Sequence, residues 1–316
     1  MGGSEVREHG LREPFVDACL LACPLCGSSD ARVLLGGEDK QLSLAALGPS
    51  RTDASAGRVL RCRDCGFGFR QLRPAVEEVA TLYRQLDGEV YESDVAGRTK
   101  TARRHLAIVE RFAPVGRLLD VGCASGLFLR CAARRGWAVV GVEPSLTLCG
   151  SARETLADKG EVICATLEDS ALPPTSFDAV TLWDVLEHVP DPVDFMRCAS
   201  RLLKPGGFLF ANVPDLDSVQ ARVFGSRWPL FLQEHLGYFN PSSLDLCGQS
   251  AGVQRVRFGR RTASFSVGYV LYRLAQHGIP GAALGHALVR RLGAGAILIS
   301  IPLGELYGVW RCPAAA

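Results

Sequence analysis

The sequence predicts an α/β fold preceded by a small cysteine-clipped module. Three observations carry the prediction. The chain has 316 residues, 47% of them hydrophobic, enough for a full-sized α/β core and a second, smaller unit. Two C-x2-C-G stretches, CPLCG at 23–27 and CRDCG at 62–66, lie towards the N-terminal end. From residue 117 an apolar run, a loop of small residues, a helical pattern and a second apolar run ending on an acid follow one another.

The bulk numbers narrow the classes. A formal charge of +2, from 35 basic and 33 acidic residues, gives no sign of an obligatory nucleic-acid partner. The opening MGGSEVREHGLREPF lacks the basic-then-apolar order of a signal segment, and the longest apolar run, LGAGAILISIPLG, is too short to span a bilayer. A cytoplasmic location is expected, with the twelve cysteines as reduced thiols or metal ligands rather than a disulfide framework.

Residues 1–75 are assigned to the module. Cys23, Cys26, Cys62 and Cys65 form two C-x2-C pairs 35 residues apart. A redox pair lacks its expected βαβ context here, and four unrelated buried thiols are the plain alternative. Four soft thiolates suit tetrahedral zinc, with Gly27 and Gly66 placed where each knuckle turns through positive φ. Four cysteines leave no open coordination position, so the expected ion is structural. The polar stretch at 36–57 is taken as a loop between the pairs. The other eight cysteines, Cys19, Cys123, Cys131, Cys149, Cys164, Cys198, Cys247 and Cys312, show no pairing in their spacing and are expected as small apolar filler.

Residues 76–114 are expected as a helical linker, with RRHLAIVERF at helical spacing. RLLDV reads as a buried strand, GCASG as the loop, LFLRCAARRG as a helix with a glycine stop, and WAVVGVE as the next strand. Glu143 ends that strand 23 residues after Asp120. This is the layout of an adenosine site: small residues admit the ligand to the backbone, and the acid takes the ribose hydroxyls. The loop Gly122-x-x-x-Gly126 is not G-x-G-x-x-G and gives poor support to a pyrophosphate-cradling site.

With the later stretches LEHVPDP and LLKPGG, the motifs LLDVGCASG, GVEPS and SFDAV resemble those of class I S-adenosylmethionine-dependent methyltransferases over residues 115–260. The cysteine pairs resemble the zinc ribbon found ahead of many small-molecule members. The resemblance implies a Rossmann-like seven-stranded sheet over 115–316. It implies that Asp120, Gly122 and Gly126 shape the methionine pocket, that Glu143 holds the ribose, and that Pro144 and Ser145 border the adenine. Thr166, Leu167 and Glu168 become candidate adenine contacts, and Trp183 and Asp184 line the methyl-donor side. Ala124 stands where many members have glycine.

Two readings remain for Asp184, Glu187 and His188: a magnesium set like that of the ubiquinone-type O-methyltransferases, or capping and loop hydrogen bonds. His235, in EHLGYFN, is either a structural loop histidine or the general base beside the acceptor, with His188 as the rival base. VQRVRFG is expected as the sixth strand and GELYGVWRC as the seventh. Two helical patterns are inserted between them, at about 266–303, as an apolar lid or dimer surface; membrane-surface docking is a further reading. The function expected is methylation of a small-molecule biosynthetic intermediate, on oxygen before carbon or nitrogen. Methylation of ribosomal or transfer RNA and a non-catalytic binding subunit are the alternatives.

Overall fold

The computed structural model describes residues 22–37, 57–72, 74–86, 94–276 and 278–314. Cys19 and most of the predicted 36–57 loop lie outside them. Two sheets organise the chain. The first elements are β1 (Ala31–Leu35), β2 (Val59–Cys62) and β3 (Gly68–Arg70), then helices α1 (Val76–Arg84) and α2 (Val95–Phe112).

The large sheet begins with β4 (Arg117–Val121), followed by α3 (Leu127–Ala133), β5 (Ala138–Val142), α4 (Leu146–Leu156), β6 (Gly160–Ile163) and β7 (Phe177–Trp183). It continues through α5 (Pro192–Arg201), β8 (Leu203–Pro214), α6 (Val219–Phe224), β9 (Gly237–Tyr238) and α7 (Pro241–Ser250). The last elements are β10 (Gln254–Ser266), α8 (Val267–Gln276), α9 (Ala282–Arg291) and β11 (Leu298–Arg311). The strand order is β10-β11-β8-β7-β4-β5-β6, with β4 to β8 parallel and β11 antiparallel to both neighbours.

The central strands read as near-continuous apolar runs because both faces are covered. Along β4 and β7 the side chains alternate between two cores. Leu119, Val121, Val180 and Leu182 pack into one with α5 and α7. Leu118, Ala179 and Trp183 pack into the other with α2, α3 and α4. Parallel strands of this kind bring their C-terminal ends, and so Asp120, Glu143 and Asp184, to one edge of the sheet.

The second sheet has the order β1-β2-β3-β9. Its last strand, Gly237–Tyr238, comes from far along the chain and pairs with Gly68 and Phe69. Cys23, Leu25, Cys62, Phe67 and Phe69 belong to the same buried cluster as Leu186 and Phe239 of the large unit. The cysteine-rich segment therefore shares its core with the rest of the chain.

Strands β10 and β11 fall where the sixth and seventh were expected, but they are longer, and the insertion is confined to 267–297. Cys149 and Cys164 correct the expectation of reduced, unpaired thiols: they form a disulfide with Cα atoms 5.7 Å apart. Packing of α4 along β6 brings them together, which their 15-residue separation gave no means to foresee.

Candidate active site

One cavity of about 760 Å³ opens along the C-terminal edge of the large sheet. Asp120, Gly122, Glu143, Pro144, Thr166, Leu167, Glu168, Trp183 and Asp184 line it, as do His188 and His235. Gly126 and Ser145 do not. Gly126, at φ +76°, starts α3, and a Cβ there would come within 3.1 Å of the Ala152 Cα on α4. Ser145 is fully buried; its hydroxyl caps α4 by accepting from Leu148 N–H and donates to the Leu86 carbonyl at 2.8 Å. Both residues set the loop's frame from behind the wall.

The β4–α3 loop turns on positive φ at Gly122 (+70°), Ala124 (+47°) and Gly126 (+76°). Ala124 N–H donates to Glu143 Oε2 at 2.9 Å, and Ser145 N–H to Oε1 at 3.0 Å. The Glu143 carboxylate is thus fixed in orientation, with lone pairs left over. Asp120 Oδ1 accepts from the Thr181 hydroxyl at 2.6 Å. Burial pushes Asp120 up to about 7, and burial also raises Glu143. Two buried carboxyls on a cavity wall, with no cationic side chain bonded to either, suit a ligand that brings its own positive charge and hydroxyl donors. S-adenosylmethionine, with ammonium, sulfonium and ribose hydroxyls, has that chemistry.

Asp184, in the left-handed region at φ +57°, has its carboxylate engaged. Its Oδ1 accepts from Arg261 Nη1 and from Asn212 Nδ2, both at 2.6 Å, and Arg261 also donates to Glu305 at 2.8 Å. Enclosure opposes ionisation, yet the Arg261 charge wins and holds Asp184 well below the usual carboxylate range. Its side chain remains 48% accessible because it borders the cavity, while Arg261 and Glu305 are 8% and 7% accessible.

Of the two readings of Asp184, Glu187 and His188, the magnesium set does not fit. The guanidinium of Arg261 already stands at Asp184 where a cation would. The residue that joins Glu187 and His188 is His235, with ligand atoms within 4.8 Å of one another. Two imidazoles and one carboxylate are a poor set for magnesium, which takes oxygen ligands.

The two histidines meet edge to face with ring centres 4.8 Å apart. His235 Nδ1 lies 2.9 Å from the Leu230 carbonyl, and His188 Nδ1 lies 3.2 Å from that of Glu234. A carbonyl only accepts, so each Nδ1 carries the proton and each Nε2 keeps its lone pair. Burial lowers His188 to about 4; burial and the neighbouring His188 push His235 well below its ordinary value. Both rings are neutral at pH 7. Burial and the charge of Asp184 raise Glu187 well above its usual range, and its Oε2 has no partner.

Sequence reasoning missed several wall residues. Tyr83 of α1 packs its ring on His188, and His105 of α2 stacks on Trp183 at 4.0 Å. The segment expected as a linker thus walls the cavity. Arg261, on β10, carried no motif, and Arg255, Arg257 and Arg260 on the same strand left nothing to single it out.

The four cysteines of the module also converge. Cys23 and Cys65 sulfurs are 3.6 Å apart, as are those of Cys26 and Cys62. A tetrahedron with metal–sulfur bonds of about 2.3 Å has edges of about 3.8 Å, so the set fits zinc. Each knuckle closes identically, Gly27 N–H to the Cys23 carbonyl and Gly66 N–H to that of Cys62, with φ near +75° at both glycines.

Comparison with known proteins agrees with this geometry. A family model described as a methyltransferase domain matches residues 92–257, over half of the chain, and the chain belongs to that family. It is a class I S-adenosyl-L-methionine-dependent methyltransferase. The ubiquinone biosynthesis O-methyltransferase of Chromobacterium violaceum is 32% identical over 161 residues, 47% of this chain and 69% of that protein. The protein of the same name from Xanthomonas campestris pv. campestris is 44% identical over 152 residues, 45% of this chain and 64% of that one. Among solved structures, phosphoethanolamine N-methyltransferase 2 of Haemonchus contortus, in complex with S-adenosyl-L-methionine, superposes with a TM-score of 0.45 at 19% identity, covering 67% of this chain and 52% of that one.

Proposed function

We propose that the chain methylates an oxygen of a small-molecule biosynthetic intermediate, with His235 as general base and His188 beside it. The observation that carries the reading is the pair of neutral imidazoles in the cavity wall, each with its Nδ1 proton fixed by a carbonyl. The O-methyltransferase relatives favour oxygen as the acceptor atom.

Bound S-adenosylmethionine would supply a methyl group on a sulfonium, open to in-line attack, with the sulfur–methyl bond breaking to leave S-adenosylhomocysteine as a neutral thioether. The protein's own part is to hold the ribose hydroxyls at Glu143, to keep negative charge at Asp120 beside the methionine end, and to enclose the acceptor against water. The acceptor hydroxyl gives its proton to His235 Nε2 as the new oxygen–carbon bond forms. Asp184, locked to Arg261 and Asn212, acts as a fixed negative wall. In the same reading the four cysteines hold one structural zinc ion, and Gly122 lets the loop turn at φ +70° where a Cβ would press on Val185 at 3.0 Å.

The test is turnover of His235→Ala with an accepted substrate. We expect about a hundredfold loss with cofactor affinity unchanged, the usual scale for a general base, and full activity in EDTA at concentrations that leave the cysteine site loaded. Wild-type turnover in His235→Ala refutes the base; loss of activity restored by magnesium refutes the metal-free reading.

A further inference from the structure

The hairpin of α8 and α9 presents its leucines the wrong way for a self-contained pair. It closes at its base through Val267 N–H to the Ile297 carbonyl, and its inner face is made of small groups: Ala282 is buried, and a Cβ at Gly285 would sit 3.5 Å from Leu271. Leu284, Leu288 and Leu292 recur every four residues and so form one stripe. They are 76%, 54% and 69% exposed. Tyr272, Leu274, Ile279 and Ile297 extend this exposed apolar surface. Scattered leucines on a surface need no explanation, but a contiguous stripe marks a contact.

Charge says which contact. From residue 246 to 304 the sequence holds seven arginines and no aspartate or glutamate. Arg255 is paired with Asp245, and Arg261 with Asp184 and Glu305, so their charge is spent within the fold. Arg290 and Arg291 stand exposed at the end of α9, beside Leu288 and Leu292. A second copy docked on this stripe about a twofold axis would bring the arginines of both hairpins together, with no carboxylate within residues 246–304 to pair them. A layer with apolar depth and anionic headgroups matches both features. We propose that the α8–α9 hairpin docks this protein on an anionic phospholipid surface, leucines inserted and Arg290 and Arg291 at the headgroups. Phe265 and Tyr269, at the root of the hairpin, line the cavity, so a bilayer held there lies close to the cavity wall.

The test is co-sedimentation of the full chain with phosphatidylcholine vesicles, with and without about a third phosphatidylglycerol. The expected result is binding to the anionic vesicles that weakens with salt, and little binding to the neutral ones. Arg290→Gln with Arg291→Gln is expected to weaken anionic binding about thirtyfold. Leu284→Ser with Leu288→Ser and Leu292→Ser is expected to abolish it. Cofactor binding by calorimetry, expected to be unchanged in both variants, establishes that they are folded. Wild-type protein left in the supernatant with anionic vesicles overturns the proposal. So does equal binding by wild type and the arginine variant, or a dimer in sedimentation velocity that the leucine variant breaks while wild type ignores vesicles.

Discussion

At Glu143 two backbone N–H groups hold the carboxylate while a cavity opens beside it. Glu143→Ala removes the proposed acceptor for the ribose and leaves both amides without that partner. A charge-assisted hydrogen bond contributes about 1.5–3 kcal/mol, so calorimetry is expected to show cofactor affinity down by about ten- to a hundredfold. Unchanged affinity would place the ribose elsewhere. Ala124 is the neighbouring case. It sits at φ +47°, where an L residue is strained by about 1–2 kcal/mol and glycine is not. Part of that gain is offset by glycine's greater freedom in the unfolded chain. Ala124→Gly is therefore expected to raise stability by roughly 0.5–1 kcal/mol in urea unfolding, keeping the amide that Glu143 accepts. A destabilised variant would show that the methyl group contributes packing.

At the level of elements, the cysteine-knuckle strands and the proposed base are mechanically joined. β3 pairs with β9, which begins two residues after His235. Arg70 N–H donates to the Leu236 carbonyl at 3.1 Å, its guanidinium donates to the Gln233 carbonyl at 2.9 Å, and Phe67 meets Phe239 edge to face at 4.8 Å. The sequence suggested a structural clip within a separate small module over residues 1–75. The shared sheet alters that expectation. Cys62→Ser, or stripping of zinc by a strong chelator, is expected to lower turnover at least tenfold, through loss of order at 233–239. Cofactor affinity is expected to hold, because Glu143 and Asp120 rest on β5 and β4. Hydrogen exchange at Leu236 and Phe239 checks it; protection equal to that of the zinc-loaded protein would uncouple the two.

Across the whole molecule, buried groups of opposite sign set the response to acid. His188 is depressed to about 4, so the folded chain binds fewer protons than the unfolded one between pH 4 and 6.5. Its contribution, about 3 kcal/mol, is complete above 6.5 and is lost as pH falls through 4. Asp120 is raised to about 7, so its contribution is present at low pH and is lost as pH rises through 7. The two oppose one another between pH 4 and 6.5, so the contribution of either to the stability of the free protein is partly offset by the other. In the proposed binding mode a cationic cofactor requires Asp120 ionised. Its binding is therefore expected to release protons, and the rise in Tm at saturating S-adenosylmethionine is expected to shrink as pH falls from 7.5 to 5.5. Calorimetry in buffers of different ionisation enthalpy measures the release; binding with no proton release would show Asp120 ionised before the ligand arrives.

The sequence by itself determined what is local and periodic. The apolar runs RLLDV and WAVVGV read as buried strands, the glycines at 27 and 66 as turns through positive φ, and the acids at 120 and 143 as falling at or near strand ends, because strand pairing and the tight loops fix those positions within a few residues of chain. Only the tertiary structure decided contacts between distant segments. It put Arg261 on Asp184, His235 against His188, Gly237–Tyr238 onto the cysteine sheet, α1 and α2 along the cavity, and Cys149 against Cys164. It also took Gly126 and Ser145 off the cavity wall, giving one to helix packing and the other to a cap. The physical reason is that side-chain periodicity reports which face of an element is buried, while the partner across that face depends on how the elements pack, which no local pattern encodes.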